Sequence, residues 1–370
     1  MSRVLERRRT FLRLIRQFTL DFGFFTVHDL ADAAHVPRST AQDWINRLVE
    51  ERCILLMEEK RGRHAARYAA TSVIPSSTCK RIYTTVDGDQ VEIYHECMSG
   101  GCAAFCEFHH RQAGGVLFQV ERDGALLREC ARLGREEISI GLYPSSAVGV
   151  RGVEKRGDYI VQQIRCTGGP AYSLTEMMSR ARGVCDVKIQ RDGKIVEGEI
   201  CTRALLHVSI GIDDTDSREE GATFALAIAL LQHMGGMKGI IPIGHHVVML
   251  SPTIEERTAG NSCSCIEMAV EPAISGQILE RARRFIADEA ISPEWGIAVK
   301  TGFVIPAALR GYGMRVRKER VERAEAEAVA EECGITLSGG RGVIGALAAV
   351  ALRGLDTTLL LDPRSGNSPL

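Results

Sequence analysis

The 370-residue chain contains no apolar run approaching the roughly 20 residues that a membrane-spanning helix requires. Its opening, MSRVLERRRTFLRLIRQF, is basic but lacks the uninterrupted apolar core and small-residue cleavage site of a signal peptide. A cytoplasmic protein with no membrane contact is therefore expected. Net charge is almost absent, at −1. A disulfide framework is also not expected, because the twelve cysteines are scattered through a chain long enough to build its own core. Reduced thiols are the better reading, with metal binding as one use for them.

What the chain does have is the composition of a globular protein, 45% hydrophobic and 25% charged, at a length that allows two or three domains. The near-neutral total hides an asymmetry. Residues 1–74 hold 13 Lys and Arg against 9 Asp and Glu, so the remainder is acidic. A basic end on an acidic body suggests that this end meets an anion.

Periodicity divides the chain into three, and the expected class is α+β multidomain. Residues 1–72 read as a winged helix-turn-helix. Leu5, Leu12, Ile15 and Phe18 line one helix, FTVHDLADAAHV forms a second, and PRSTAQDWINRLVEE a third with Ser39 as N-cap. CILLMEEKRGRHAARYAAT then gives two strands around a basic turn. Such a motif presents Arg38, Ser39, Thr40, Gln42, Asn46 and Arg47 to a nucleic acid groove, with Lys60, Arg61 and Arg63 on the wing. It also serves elsewhere as a protein-docking module. DNA or RNA is thus one partner compatible with residues 1–72, and a homodimer is also compatible with the chain.

Residues 80–203 read as a central α+β domain with an antiparallel sheet. Turn signals fall at Asp87-Gly88, Asp123-Gly124 and Asp192-Gly193, and helices are expected near Ala103–His110 and over Ser173–Arg182. EIYHECMSGGCA and IVQQIRCTGGPA each place a strand before Cys and Gly-Gly, a faint sign of a duplicated unit. Residues 204–365 alternate strand and helix and read as an α/β nucleotide-binding domain.

Chemistry concentrates in SIGIDDTDSREEGATFALAIALL. A buried strand stops at Asp213, Asp214 and Asp216, three carboxylates within four positions. Such a cluster is costly unless a cation or a helix N-terminus compensates it. Mg²⁺ takes one or two carboxylates together with phosphate oxygens, and the helix following Gly221 would receive a phosphate near Thr223. The alternative is a capped loop with its carboxylates in water. GGRGVIGALAAVAL is not a GxxxxGK[ST] phosphate loop, yet Gly340 and Gly342 leave backbone N–H groups for an anion and Arg341 adds charge. Arg257 and Asn261, in the turn of LSPTIEERTAGNSCSC, supply a cation and an amide. A separate candidate is HECMSGGCAAFCEFHH. There Cys97, Cys102, Cys106 and His109 are spaced to hold zinc or an iron–sulfur cluster, or else are buried thiols.

GIDDTDS, the RT-G-N turn after LSP, and the terminal GRGVIGALAA, in that order, resemble the catalytic domain of archaeal agmatidine synthetase over about His207–Leu361. That family modifies the wobble cytidine of an isoleucine tRNA with ATP and agmatine. The resemblance implies ATP and Mg²⁺ at Asp213, Asp214 and Asp216, and puts Thr223 where that family has a reactive threonine. The family's GMCTT is GATFA here, with one extra residue before the glycine, and no counterpart of its OB-fold or zinc ribbon is expected from these residues. Over a longer span, DDTD-x-x-EEGAT and SPEWGIAVKTGF resemble methanogenesis marker protein 11, a family of methanogenic archaea with no established reaction. The implied activity is ATP-dependent phosphoryl or adenylyl transfer to an RNA, protein or cofactor, with Asp213 or Asp214 alternatively a base. A transcriptional regulator with a nucleotide-sensing C-terminal domain is the competing expectation.

Overall fold

The computed structural model describes residues 3–60, 62, 64–72, 79–168, 177–255, 257 and 260–362. At the N-terminus, α1 (Arg3–Phe22), α2 (Val27–Ala33) and α3 (Arg38–Glu50) pack with an antiparallel pair, β1 (Ile54–Glu58) and β2 (Arg67–Ala70). Phe11, Ile15, Leu30, Ile45, Leu48 and Ile54 form their common core. Thr26 and Asp29 close a capping box that starts α2. Ser39 does not cap α3. Pro37 occupies that position, its fixed φ setting the chain for helix entry, and Ser39 falls inside the first turn.

The rest of the chain shares one thirteen-stranded sheet. Its first unit contains β3 (Cys79–Asp87), β4 (Gln90–Cys97), α4 (Gly100–Ala113), β5 (Leu117–Asp123) and β6 (Leu126–Arg132), paired in the order β3-β4-β6-β5. After the two-residue β7 (Gly134–Arg135), the same order recurs as β8-β9-β11-β10. These strands are β8 (Val148–Arg156), β9 (Tyr159–Thr167), β10 (Val184–Asp192) and β11 (Ile195–Asp213). The two Cys/Gly-Gly segments begin on β4 and β9, which are equivalent strands of the two units. Of the helix expected over Ser173–Arg182, positions 173–176 lie outside the described residues and 177–178 are helical.

Strand β11 is 19 residues long and runs straight through the boundary expected between Arg203 and Ala204. Its first part pairs with β9 and β10, Ala204 and Leu205 pair in parallel with β3, and Leu206–Asp213 pair with the C-terminal strands. Those strands are β12 (Ile240–Met249), β13 (Ser262–Val270), β14 (Gly296–Thr301) and β15 (Thr336–Gly339). Their order is β12-β13-β11-β14-β15, antiparallel throughout. The C-terminal part is therefore α+β, not α/β as expected. Apolar strands read alike in either sheet type, and here β12 and β13 pair directly through a loop, without the crossover helix that a parallel pair needs.

Helices cover both faces of this part of the sheet. Val208, Ile210 and Ile212 face α5 (Thr223–Gly235) and α6 (Ile278–Glu289). The opposite face carries α7 (Ala307–Val316), α8 (Arg323–Glu332) and α9 (Val343–Ala351). Gly211 is small because α9 lies directly on it: a Cβ there would strike the Ala346 carbonyl oxygen. No helix among the described residues is long and apolar enough to cross a membrane.

A buried ion network ties the first unit to the C-terminal strands. Arg353, just after α9, gives its guanidinium to Glu92 of β4 at 2.8 and 3.0 Å and to Glu267 of β13 at 2.5 Å. Its remaining donor reaches the Phe303 carbonyl at 3.1 Å. Burial alone would raise the Glu92 and Glu267 carboxyls, but Arg353 together with His207, and with Arg128 and Tyr94 at Glu92 and His246 at Glu267, outweighs it and holds both below the usual range. The unfolded chain therefore binds more protons than the folded one at mildly acid pH. Stability from this network is present above about pH 4.5 and is lost as pH falls towards the folded values. Arg353→Met, which strands two buried carboxylates, is expected to cost about 3–5 kcal/mol at neutral pH. Urea unfolding at pH 7 and pH 4 measures both effects; an Arg353→Met midpoint equal to wild type would disprove the clamp.

Candidate functional site

Alternation along β11 decides where the first aspartate points. Residues 208, 210 and 212 turn to α5 and α6, so Asp213 turns to the α9 face with Gly211. Its carboxylate lies against Gly345, where a Cβ would collide with it. Asp214 then takes a positive φ of 52° as the strand ends, and Asn261, across the cleft, has φ 39°. Aspartate and asparagine tolerate this left-handed region better than most residues, and its use twice at one cleft is a mark of imposed geometry.

The cleft opens between the end of β11, the start of α9, the 250–261 loop and the turn before α8. Asp213 and Asp214 line one side of it, and the rest of the lining is mixed in charge, with Arg257, Arg320, Arg323 and Arg341 beside Glu319 and Glu322. Burial, and then the neighbouring Asp214 and Asp216 carboxylates, push the Asp213 carboxyl well up. Asp214 is raised by burial as well, against the pull of Arg341. Two crowded carboxyls whose charged forms burial disfavours, set beside arginine side chains, form a site that a bound cation would relieve.

Not every residue expected at the site lies in it. Asp216 is outside the cleft lining and accepts a hydrogen bond from Thr223 Oγ1 at 3.4 Å. Thr223 is itself buried, its oxygen taking the Thr215 hydroxyl at 3.0 Å, and it does not line the cleft. Asp216 and Thr223 thus brace the turn from behind. Gly221, at φ 88°, permits this, since a Cβ would press on Asp216.

The glycine-rich turn differs from expectation. Gly340 N–H donates to Trp295 O at 2.7 Å, Gly342 N–H to Glu294 O at 2.8 Å, and Arg341 N–H to the Glu294 carboxylate at 2.9 Å. Those amides are committed to the protein, so Gly340 and Gly342 serve close packing against the 294–296 segment and do not cradle an anion. Asn261 lines the cleft, but its side-chain amide donates to Ser251 O, which makes it a loop brace. Arg257 is exposed at the rim and donates to Ile254 O at 2.6 Å. Arg320 and Arg323 were missed from sequence because RVRKERVERAEAEAVAEE reads as a solvated charged helix, and Arg323 does pair with Glu327 at 2.7 Å.

Among the described residues no three His, Cys, Asp or Glu side chains stand arranged to hold a metal ion. The three aspartates are accordingly not a preformed triad. Nor do Cys97, Cys102, Cys106 and His109 form a set. His109 Nδ1 instead accepts the Ala147 N–H at 3.1 Å, and its ring packs edge-on against Phe105 and Phe108. At the N-terminus, Arg38, Ser39, Asn46 and Arg47 are exposed on α3, and Thr40 and Gln42 are half-buried. Lys60 is exposed, and Arg61 and Arg63 lie outside the described residues.

The family described as the TiaS TCKD domain matches residues 209–282, which include Asp213, Asp214, Arg257 and Asn261 of the cleft. The C-terminal part of the chain is TiaS-like. Among individual proteins, the tRNA 2-agmatinylcytidine synthetase TiaS of Pyrococcus horikoshii is 29% identical over 153 residues, 40% of this chain and 35% of that protein. The Methanosarcina acetivorans TiaS is 31% identical over 150 residues, 38% of this chain and 34% of that protein. The chain thus matches about a third of the length of these synthetases. An uncharacterized protein of Methanocaldococcus jannaschii is 27% identical over 269 residues, 70% of this chain and 87% of that protein. The crystal structure of TiaS in complex with its isoleucine tRNA and ATP aligns at 26% identity with a TM-score of 0.36, over 41% of this chain and 37% of that one.

The fit of Asp213 against α9 leads to a prediction. Gly345→Ala must move either the Asp213 carboxylate or the helix, and is expected to destabilise the protein by about 1–3 kcal/mol. Gly276→Ala, where a Cβ meets nothing within 4 Å, should change stability by no more than about 0.5 kcal/mol. Thermal or urea unfolding of the two variants distinguishes them; equal stability would remove the case for a constrained Asp213.

Proposed function

We propose that this protein is an ATP- and Mg²⁺-dependent enzyme that activates its substrate by phosphoryl or adenylyl transfer and that its substrate is an RNA. The observation that carries this reading is the half-enclosed Asp213–Asp214 pair, whose charged forms burial disfavours, in a cleft also lined by Arg257 and Arg341. The names of the TiaS relatives, which join tRNA modification to this region of the chain, support the RNA assignment. On this reading the protein is also related to the methanogenesis marker protein 11 family, through DDTD-x-x-EEGAT and SPEWGIAVKTGF.

The donor set suits the cofactor. Two carboxylate oxygens are the usual protein contribution to Mg²⁺ held with nucleotide phosphates. When bound, the metal–nucleotide pair supplies an activated phosphoryl group. Asp213 and Asp214 would hold the cation, and Arg341 and Arg257 would neutralise phosphate charge, which is most of what phosphoryl transfer asks of a protein. Asp216 and Thr223 keep Asp214 in its left-handed conformation, and Asn261 holds the opposite loop. Residues 3–70 act as a winged helix that grips the nucleic acid, with α3 on the bases or backbone and Lys60 on phosphate.

Calorimetry of ATP binding with Mg²⁺ tests the site. Wild type is expected to bind, Asp214→Asn and Arg341→Ala to bind about 10- to 100-fold more weakly, as the loss of a charged contact predicts, and Asp216→Asn to retain most affinity. A wild type that does not bind ATP would refute the reading. RNA binding is expected to weaken linearly with the logarithm of salt concentration, and Arg38→Ala to reduce that slope by roughly one. A slope unchanged by Arg38→Ala and Lys60→Ala together would detach the N-terminal unit from nucleic acid.

A further inference from the structure

Between α4 and the first half of the sheet runs a buried seam of ligating side chains that the nucleotide cleft does not use. The β3–β4 register sets Cys79 opposite Cys97, so their side chains lie on one face as near neighbours. His95, two residues back on β4, shares that face, and so does Glu129 of β6, which lies opposite Ile93. Above them α4 presents Cys102, Cys106 and His110 at four-residue spacing, one stripe along the helix. Ser99 caps α4 by accepting the Cys102 N–H at 3.2 Å, which fixes the start of that stripe just after Cys97.

Contacts link these groups into a chain. The Cys97 thiol is pushed up by a hydrogen bond with Cys79, then by burial and by Cys102; the Cys106 thiol is pushed up by a hydrogen bond with Cys102 and by burial. At the other end His110 Nδ1 meets one Glu129 oxygen, and His95 Nε2 stands 3.5 Å from the other. The seam is dry: Cys97, His95 and Glu129 are 0%, 1% and 0% exposed. Yet both ring nitrogens of His95 and Glu129 Oε2 make no well-formed hydrogen bond. Leaving such groups unsatisfied in a core costs about 1–3 kcal/mol each, so their retention calls for a partner.

We propose that Cys79, Cys97, Cys102 and Cys106 close on a single thiophilic cation of the Zn²⁺ class, with His95 and Glu129 behind them as supporting groups. Four sulfurs about 2.3 Å from a tetrahedral zinc are about 3.8 Å from one another, which is the spacing of thiols in hydrogen-bonding contact. As they stand, no three of these side chains are arranged around an ion; the four thiols reach one by rotamer changes while the backbone stays fixed by the β3–β4 register and the α4 cap. Binding releases the four thiol protons to solvent, leaving a tetrathiolate with excess negative charge. His95 and Glu129 stand behind it as a buried pair, with Nε2 3.5 Å from the carboxylate. Compared with the set expected from sequence, Cys79 replaces His109, which faces away towards Ala147.

The test uses the full chain, purified anaerobically, stripped with a chelator and titrated with Co²⁺ as the spectroscopic probe. Uptake of about one equivalent, with sulfur-to-cobalt charge transfer and tetrahedral d–d bands that Zn²⁺ abolishes, is expected. Cys97→Ser and Cys102→Ser should lose or strongly shift those bands, and Cys53→Ser, in the N-terminal unit, should keep them. Because a serine variant may be unfolded, a second measurement uses the wild type alone. Zn²⁺ should protect Cys79, Cys97, Cys102 and Cys106 from alkylation, as mapped by peptide mass, and leave the exposed Cys185 reactive. Absence of d–d bands in folded wild type, bands unchanged in Cys97→Ser, or protection of other cysteines only would overturn the assignment. So would an iron–sulfur chromophore in the purified chain.

Discussion

One guanidinium holds the two halves of the sheet in register. Arg353 reaches Glu92 on β4 and Glu267 on β13, three groups that are each almost wholly withdrawn from water. Desolvating three charges is expensive, and the arrangement is tolerable only because nearly every donor and acceptor is used. Glu267 also receives His207 Nε2 at 2.9 Å, and Glu92 receives the Tyr94 hydroxyl at 2.6 Å. The network has little freedom to shift, so the position of Arg353 fixes the C-terminal end of α9. That in turn fixes its N-terminal end, where Gly345 meets Asp213. A structural ion cluster thereby sets the geometry of a cleft at the far end of the same helix.

The cleft illustrates how a chain maintains an unfavourable cluster of charge. Asp213 and Asp214 are not relieved by the glycine-rich turn, whose amides are spent on Glu294 and Trp295. Burial disfavours the charged form of both, and Arg341 relieves Asp214 in part. Such a site is stable enough to fold around and still gains from a cation. Half-buried Asp216 and buried Thr223, behind the turn, show that residues of one short motif can divide into a wall and its support. The thiol seam follows similar logic at a second place, with unsatisfied groups gathered where packing alone would favour apolar side chains.

Much of the local structure was legible from the residues. The α4 helix, the three N-terminal helices and the stop of β11 at the aspartates follow from periodicity and caps, because these are contacts within a few residues. The Cys/Gly-Gly echo fell on the equivalent strands β4 and β9 of two units with the same strand order. Less legible were the Pro37 entry to α3, which displaced Ser39 as cap, and the antiparallel arrangement of the last five strands. Arg320 and Arg323 were hidden because a charged helical run looks the same whether it faces solvent or a cleft.

By itself the sequence determined which side chains stand at the end of β11, that Asp213 lies on the opposite face from Ile212, and that small residues occur at 211, 342 and 345. Those facts come from a two-residue alternation and from glycine's lack of a side chain. Only the tertiary structure decided that Arg353 pairs with Glu92, 261 positions away, that the turn amides face Glu294 and not the cleft, and that Cys79 joins Cys97 while His109 turns aside. The reason is physical. Periodicity encodes the direction of a side chain relative to its own backbone, whereas its partner is fixed by strand register and helix placement, which emerge when distant segments compete to bury the same surface.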